Sequence, residues 1–234
     1  MDNDKQPPVE MEWQYGYDYA NRLVKVNKAF YVKGKHVFTR EVASYTYDAL
    51  GRRIKKEVSN KIIEVKGKSN GWNKGSQRGL SSLTTYFYYD GARCIEEYSD
   101  GKHNQKLSAQ YVYGNGIDEI LQMTKVKKGH CGKDKTYYYH ENALGSIYAI
   151  TNDKGNVVER YEYTVYGEVT ITGPAGKGKR NHSIIGNRFM FTGREYDQET
   201  DLYYYRARYY SAEMGRFISR DPIGYFDGMN LYTY

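Results

Sequence analysis

Three residues of the sequence have the spacing of a phosphate-binding loop. Gly173, Gly178 and Lys179 fit the pattern GxxxxGK and follow the strand-like segment EVTIT, which is where such a loop belongs. The next residue, Arg180, replaces the Ser or Thr that would bind magnesium, and the segment RNHSIIGN is a poor helix former. The pattern therefore predicts an ordinary loop without a nucleotide.

Residue types that bind metals come together once, at His130, Cys131, Asp134 and His140. Their spacing matches no standard zinc pattern, which favours scattered polar loop residues over a metal site. The two cysteines, Cys94 and Cys131, form no CxxC motif and no disulfide framework, although a single structural disulfide between them stays an alternative. We therefore expect no metal and no cofactor.

The amino-acid composition favours strands over helices. Among its 234 residues the chain has 28 Tyr but only 7 Phe, together with 24 Gly. Aromatic rings pack well on pleated surfaces, and Gly divides a chain into short elements. We therefore predict an all-β protein.

The chain is basic, with a formal net charge of +7, but this charge is spread along the sequence. Basic clusters at 52–56, 125–130 and 177–180 fall at predicted strand ends or in loops, where solvated Lys is typical. Nucleic acid is not an expected partner, because no recognised nucleic-acid-binding fold accompanies the clusters. No apolar run approaches the roughly 20 residues of a membrane span. Residues 1–10 contain no apolar export segment and are expected to be a disordered lead-in.

A hairpin unit repeats along the body of the chain. The segments YGYDYANRL (15–23), YTYDALGRRI (45–54) and YYDGARCIEEY (88–98) each combine Tyr-Asp, a tight turn and an Arg that begins the next strand. Asp bonds to the backbone ahead of it and Gly tolerates positive φ, so both favour the turn, as does Asn115-Gly116 further on. Because such units cannot bury their faces alone, we predict about nine or ten strands in a coiled antiparallel sheet.

The most specific stretch of the sequence is its end, residues 191–234. One aromatic strand is predicted over 202–210, with Tyr203 and Tyr209 on one face and Arg208 on the other, because side chains alternate along a strand. A turn and the short strand RFIS are expected to follow, before a sharp turn at the segment DPIG.

The segments FTGREYD, ETDLYYYRARYY, GRFISRDPIG and GMNLYTY resemble the core-associated C-terminal block of the Rhs/YD-repeat proteins. The hairpin units resemble the YD repeats of that family, so the resemblance covers nearly the whole chain. It implies a hollow, cocoon-like β-shell that encloses a C-terminal toxin. Residues 11–190 are then the YD-repeat hairpin region, with exposed loops near 67–82 and 173–187, and residues 191–234 are the core-associated block.

The resemblance also implies a self-cleavage that involves the equivalent of Asp221. An aspartic mechanism needs two neighbouring carboxylates, one that acts on water and one that donates to the carbonyl. As the partner of Asp221 we select Asp197, with Asp227 as the second choice. The alternative is that Asp221 and Asp197 only cap turns. This alternative gains weight because the family's cleavage point lies beyond NLYTY, where this sequence ends.

We therefore predict a structural segment of an Rhs-type polymorphic toxin from a bacterium, which wraps a C-terminal toxin or another polypeptide. Two alternatives stay open, a self-cleaving aspartyl protease and a surface repeat that binds carbohydrate or cell wall. The expected partners are a polypeptide cargo, the rest of a larger shell and a secretion machinery. The expected location is the cytoplasm before export, then the cell surface or the medium.

Overall fold

The computed structural model describes residues 9–59, 62–65, 82–100, 104–126, 133–226 and 228–234. Within these ranges the chain forms one sheet of 13 strands and a second sheet of four. No helix in the described part is long and apolar enough to cross a bilayer. The predicted all-β class is confirmed.

The large sheet is an antiparallel meander in which strands that follow one another in the chain also pair, while β5 pairs with β3 beside this path. Its strands are β1 (Val9–Tyr17), β2 (Leu23–Val32), β3 (Lys35–Tyr47), β4 (Arg53–Val58), β5 (Ile62–Val65), β6 (Leu83–Asp90), β7 (Arg93–Asp100), β8 (Gln105–Tyr113), β9 (Ile120–Lys125), β10 (Lys135–Glu141), β11 (Ile147–Asn152), β12 (Val157–Tyr163) and β13 (Val169–Thr172). The prediction of nine or ten strands was too low, because tight turns leave room for more short strands.

The C-terminal block forms the small sheet, which is also an antiparallel meander. Its strands are β14 (Glu195–Asp197), β15 (Leu202–Tyr205), β16 (Arg208–Ser211) and β17 (Arg216–Phe217). The predicted single strand over 202–210 is wrong, because the chain reverses in its middle. Arg206 adopts a φ of +62°, and Tyr205 pairs with Arg208 across a tight hairpin.

This reversal changes which aromatic residues share a face of the small sheet. Tyr203 lies opposite Tyr210, and Tyr204 lies opposite Tyr209. Because opposed residues of a ladder share a face, Tyr203 and Tyr209 lie on different faces, contrary to the prediction. All four side chains are buried, so the small sheet is covered on both sides.

One face of the large sheet can be followed from strand to strand by register. Tyr45 lies opposite Lys56, and Lys56 lies opposite Thr85. Phe87, two residues further along the same face of β6, lies opposite Glu97 of β7. We call this continuous surface the inner face.

The inner face continues to the other half of the large sheet. Glu97 lies opposite Ala109, and Tyr111, two residues further along β8, lies opposite Met123. Met123 in turn lies opposite Tyr137 of β10. The same side of one sheet therefore runs from β3 to β10.

The inner face covers both sides of the small sheet. Tyr204 and Tyr209 share a core cluster with Tyr45, whose ring centroid is 5.2 Å from that of Tyr209. Tyr203, on the opposite side of the small sheet, belongs to the core cluster of Met123. A flat sheet could not reach both sides, so the large sheet is coiled, as predicted, and the segment inside the coil is the C-terminal block.

The predicted hairpin turns are confirmed. The segments 18–22 and 48–52 join β1 to β2 and β3 to β4, and residues 91–92 join β6 to β7. In each of the first two turns an Asp carboxylate accepts hydrogen bonds from two backbone N–H groups ahead of it. The segment 114–119, with Asn115-Gly116, joins β8 to β9.

The start of the chain and the first predicted loop lie mostly outside the described residues. Strand β1 begins at Val9, within the segment 1–10 that was expected to be a disordered lead-in, and residues 1–8 are not described. Of the loop expected near 67–82, only residue 82 is described.

The second predicted loop, near 173–187, is exposed only in part. Residues 174–179 are exposed, but Ser183 and Asn187 are buried. The reason is a fully buried carboxylate on β12: Glu159 accepts a hydrogen bond of 2.7 Å from the Ser183 hydroxyl. This loop therefore folds back to satisfy a charge that the sheet has buried.

Candidate functional site

Asp197 ends β14 and is fully buried between the two sheets. Its carboxylate forms an ion pair with Arg53 and a second one, of 2.8 Å, with Lys56. Burial alone would raise the pKa of Asp197, but the two cations outweigh it and lower the pKa to about 2. Asp197 is therefore ionised at neutral pH.

Arg53, the first residue of β4, is fully buried as well. Its guanidinium contacts Glu195 at 2.6 Å and donates a hydrogen bond of 3.0 Å to the Tyr209 hydroxyl. It also stacks on the Tyr204 ring, 4.4 Å from the centroid. A planar guanidinium suits this place because it can bond to carboxylates at its edge and contact rings with its faces.

The series of ion pairs continues towards β7 and β8. Glu195 also pairs with Arg188, and Arg188 pairs with Glu97. The Tyr111 hydroxyl donates to Glu97 at 2.6 Å. Burial raises the pKa of Glu97, but Arg188 outweighs it and the value falls to about 2. These contacts form what we call the buried ionic network, which comprises Lys56, Asp197, Arg53, Glu195, Arg188 and Glu97.

Asp221 lies elsewhere, at the start of the DPIG turn, and is partly exposed. Its carboxylate forms an ion pair of 2.9 Å with Arg208 and accepts a hydrogen bond of 2.9 Å from the Ile223 N–H. Its own N–H donates to the Leu231 carbonyl at 2.9 Å. Asp221 thus holds its turn and also ties that turn to the last residues of the chain.

The contacts of the described residues do not join the two aspartates that were selected as a catalytic pair. Asp197 is held by Arg53 and Lys56, whereas Asp221 is held by Arg208. Asp227, the second choice of partner, lies outside the described residues. A catalytic role of Asp221 with Asp197 stays a prediction.

The other chemical candidates of the sequence have ordinary surroundings where they are described. The His140 ring bonds to the Thr151 hydroxyl at 3.0 Å. Cys94 is buried, and burial raises the pKa of its thiol to about 12. His130 and Cys131 lie outside the described residues. In the described ranges no three His, Cys, Asp or Glu side chains are grouped as metal ligands.

The Arg of each YD-type hairpin binds the turn of the next hairpin, a function that the sequence pattern did not reveal. The Arg22 guanidinium lies 5.1 Å from the centroid of the Tyr47 ring and donates to the Asp48 carbonyl at 3.2 Å. In return, the Tyr47 hydroxyl donates to the Leu23 carbonyl at 2.6 Å. Tyr-Asp of one unit is therefore bound by the Arg of the unit before it.

This exchange recurs at the next two turns. Arg52 stacks on Tyr89 and donates to Gly91, and Arg93 stacks on Tyr113 and donates to Gly116. The Tyr hydroxyls again donate to carbonyls of the preceding unit, at 2.8 and 2.9 Å. The spacing of Tyr and Arg in the repeat was the available signal, but it does not show that the two residues meet across neighbouring hairpins.

Comparison with known proteins identifies similar segments in much longer proteins. No protein-family model matches the chain. The chain is 30% identical over 220 residues to the tRNA3(Ser)-specific nuclease WapA of Bacillus spizizenii, across 94% of this chain and 8% of that protein. It is 27% identical to the double-stranded DNA deaminase toxin A of Burkholderia cenocepacia, across 94% of this chain and 14% of that protein. It is also 27% identical to the toxin protein Tse5 of Pseudomonas aeruginosa, across 93% of this chain and 16% of that protein.

Among solved structures, the crystal structure of TcdB2-TccC3 matches with a TM-score of 0.66 at 18% identity, across 94% of this chain and 10% of that chain. This match shows a common fold. The chain thus spans only a small part of each protein to which it is similar. Its YD-type hairpins, its coiled sheet and these similarities to bacterial toxin proteins show that the chain is an Rhs-related protein.

Proposed function

We propose that this chain is an encapsulating segment of an Rhs-type polymorphic toxin, a part of a β-shell that wraps another polypeptide. One observation carries this proposal: the inner face covers the C-terminal block from both sides. A sheet that coils around a segment of its own chain has the curvature that is needed to surround a cargo. The rest of a larger shell would complete the enclosure.

The chemistry of the inner face supports this function. It offers Tyr hydroxyls and ion pairs as well as apolar rings, as at Tyr111 with Glu97. In this chain these positions are filled by the C-terminal block, and the same kind of surface in the rest of a larger shell would make many weak contacts with both polar and apolar side chains of a cargo. A fitted pocket would instead select a single ligand.

The relatives also favour a carrier over a catalyst. They are named as a tRNA nuclease, a DNA deaminase and a toxin, yet each contains a segment similar to this chain. One shared segment does not explain such different activities, so in this proposal the toxic activity belongs to another part of each protein. We place the chain in the cytoplasm before export, with a secretion machinery as a further partner.

Protease protection tests the encapsulation. The whole gene product that contains this chain would be digested with a broad-specificity protease, and the fragments would be identified by mass. We expect a polypeptide outside the β-structure to resist digestion, and to become sensitive in Arg53→Met, which breaks the buried ionic network. The matched control is Arg216→Met, at an exposed position of the C-terminal block.

Equal digestion of the cargo in the native and the heat-denatured protein would contradict encapsulation. Binding of the native chain to purified peptidoglycan, above a heat-denatured control, would support the carbohydrate-binding alternative instead.

A second candidate function, self-cleavage, is favoured by the position of Asp221. A cavity of about 340 Å³ is lined by Asp221, Arg208, Asn230, Leu231 and Tyr234, among others. The carboxylate thus lies beside the last residues of the described chain, after which the family resemblance implies the cleavage. In this mechanism Asp221 would act on the backbone that follows Tyr234, together with a second carboxylate brought close to it.

The intact mass of the gene product tests this candidate. We expect two fragments from the natural protein and one uncut product from Asp221→Asn. The matched control is Asp201→Asn, an exposed acid of the same block, which should be cut normally. Cleavage that persists in Asp221→Asn would show that the aspartyl mechanism is wrong.

A further inference from the structure

A cavity of about 450 Å³ lies between the two sheets, at the edge where the YD-type turns are found. Ala20 and Leu50 of the first two turns line it, together with Cys94 and Phe189. Its volume falls within the range of pockets that bind small molecules, about 300–1,000 Å³. Neither the proposed encapsulation nor the self-cleavage uses this cavity.

The cavity is rich in arginine. Five arginines are among its lining residues, Arg22, Arg52, Arg93, Arg194 and Arg206. Two of these charges are already neutralised within their own turns, since Arg22 pairs with Asp18 and Arg52 pairs with Asp48, both at 2.7 Å. These two arginines are therefore structural.

The other three arginines outnumber the acidic side chains that pair with them. Arg194 and Arg206 both pair with the same carboxylate, that of Asp118, the first at 2.9 Å. Arg93 donates to the Gly116 carbonyl at 3.1 Å and stacks on a Tyr ring, and no carboxylate among the described residues pairs with it. Three cations with one anion leave an excess of two positive charges.

The second acid in the wall does not reduce this excess. Glu195 lines the cavity, but its carboxylate is bound by Arg53 and Arg188 of the buried ionic network. The Cys94 thiol is protonated at neutral pH because burial raises its pKa to about 12. The wall therefore holds no further free anion among its lining residues.

One donor in this wall also lacks a partner. The Nε atom of Arg194 is buried and has no hydrogen-bond acceptor. A buried N–H without an acceptor is costly, by about 1–3 kcal/mol, and such groups are rare in native proteins. A ligand in the cavity could bond to this N–H only after a movement of the side chain, because almost none of the atom's surface is accessible.

We propose that this cavity binds a small phosphate-bearing molecule. A phosphate group carries close to two negative charges near pH 7, which matches the excess of two positive charges. Its oxygens suit the planar fork of a guanidinium, which binds phosphate with two parallel hydrogen bonds. Arg93 and Arg194 are the residues that would hold it, and Asp118 keeps Arg194 and Arg206 in place.

Calorimetric titration of the purified chain with inorganic pyrophosphate tests the site. We expect binding that weakens as salt is added, and an affinity about tenfold lower in Arg93→Gln, because a hydrogen bond to a charged group is lost. The matched control is Arg160→Gln. Arg160 also donates a single hydrogen bond to a carbonyl, that of Pro174, but lies outside the cavity lining. The Arg160→Gln variant should bind pyrophosphate with the affinity of the natural chain.

A second measurement covers the case in which Arg93→Gln fails to fold. In the natural chain labelled with 15N-arginine, the Nε–H resonance of Arg194 should shift when pyrophosphate is added. The absence of both heat and resonance shift at millimolar pyrophosphate would overturn the proposal. An equal loss of affinity in Arg93→Gln and Arg160→Gln would overturn it too, because it would indicate a diffuse charge effect.

Discussion

Arg53 and Asp197 form a fully buried ion pair, although 144 residues separate them in the sequence. The pair joins β4 of the large sheet to β14 of the small sheet. Removal of one partner of such a buried pair destabilises a fold strongly, because the other charge is then left without compensation.

Replacement of Arg53 by Met should therefore destabilise the fold strongly. We expect a loss of about 3–5 kcal/mol in the free energy of unfolding, since the buried carboxyl groups of Asp197 and Glu195 lose a cationic partner. Urea denaturation followed by circular dichroism measures this loss. Arg216→Met, at an exposed position, should change the free energy by less than about 0.5 kcal/mol. Similar losses in both variants would contradict the role of the network.

The ion pairs of Asp197 should also make stability depend on acid pH. The pKa of Asp197 is about 2 in the folded chain, against 3.8 for the free group. Between these pH values the unfolded chain binds more protons than the folded chain, so the stability of the folded state rises with pH in this window. The contribution is fully present above about pH 4 and is lost as the pH falls through 2.

Urea denaturation at a series of pH values between 2 and 6 measures this dependence. In Asp197→Asn the slope between pH 2 and 4 should be smaller, because one carboxylate no longer titrates. Part of the slope should remain, since the pKa of Glu97 is also lowered to about 2, by Arg188 against the effect of burial. An unchanged slope in Asp197→Asn would show that this carboxylate is not held by its cations in solution.

Loss of one hydrogen bond between neighbouring hairpins should destabilise the fold less than loss of Arg53. Tyr89→Phe removes the hydroxyl that donates to the Arg53 carbonyl at 2.8 Å, so we expect a loss of about 1 kcal/mol. Thermal denaturation of the variant measures it. Tyr138→Phe, in which the ring lies at an exposed position of β10, is the control and should be nearly neutral. Equal stability of both variants would show that the hydrogen bond from Tyr89 to the preceding hairpin does not stabilise the fold.

Two glycines with similar φ angles allow the free-energy cost of backbone strain to be distinguished from the cost of a steric clash. Gly193 has a φ of +68° and Gly155 a φ of +76°, but an added Cβ would approach the Asp118 carbonyl oxygen to 2.8 Å only at Gly193. Gly155→Ala should cost about 1–2 kcal/mol for the left-handed backbone. Gly193→Ala should cost about 1–3 kcal/mol more, because the packed backbone must shift. Chemical denaturation measures both, and equal losses would contradict the close packing at Gly193.

Much of the fold was accessible from the sequence because its causes are local. An Asp that bonds to the N–H groups two and four residues ahead specifies a turn within its own segment, as Asp48 does with Leu50 and Arg52. Repetition of such turns between Tyr-rich segments predicts strands and an antiparallel meander. The sequence and its family resemblance also named Asp197 and Asp221 as candidates, but they gave no information on the surroundings of either carboxylate.

The reversal at Arg206 was missed because its cause is not local. The residue takes a left-handed conformation without being Gly or Asn, and no turn pattern of the segment indicates it. Its side chain pairs with Asp118, 88 residues away, which helps to hold the turn. A distant contact thus overrides the strand preference of the surrounding aromatic residues.

The sequence by itself determined the all-β class, the YD-type turns and the antiparallel pairing of neighbouring hairpins, because these depend on residues that are close in the chain. Only the tertiary structure decided which side chains meet between the two sheets. Asp197 is ionised because coiling of the large sheet brings Arg53 and Lys56 to it. Coulombic interaction depends on distance in space, and the sequence does not contain that distance.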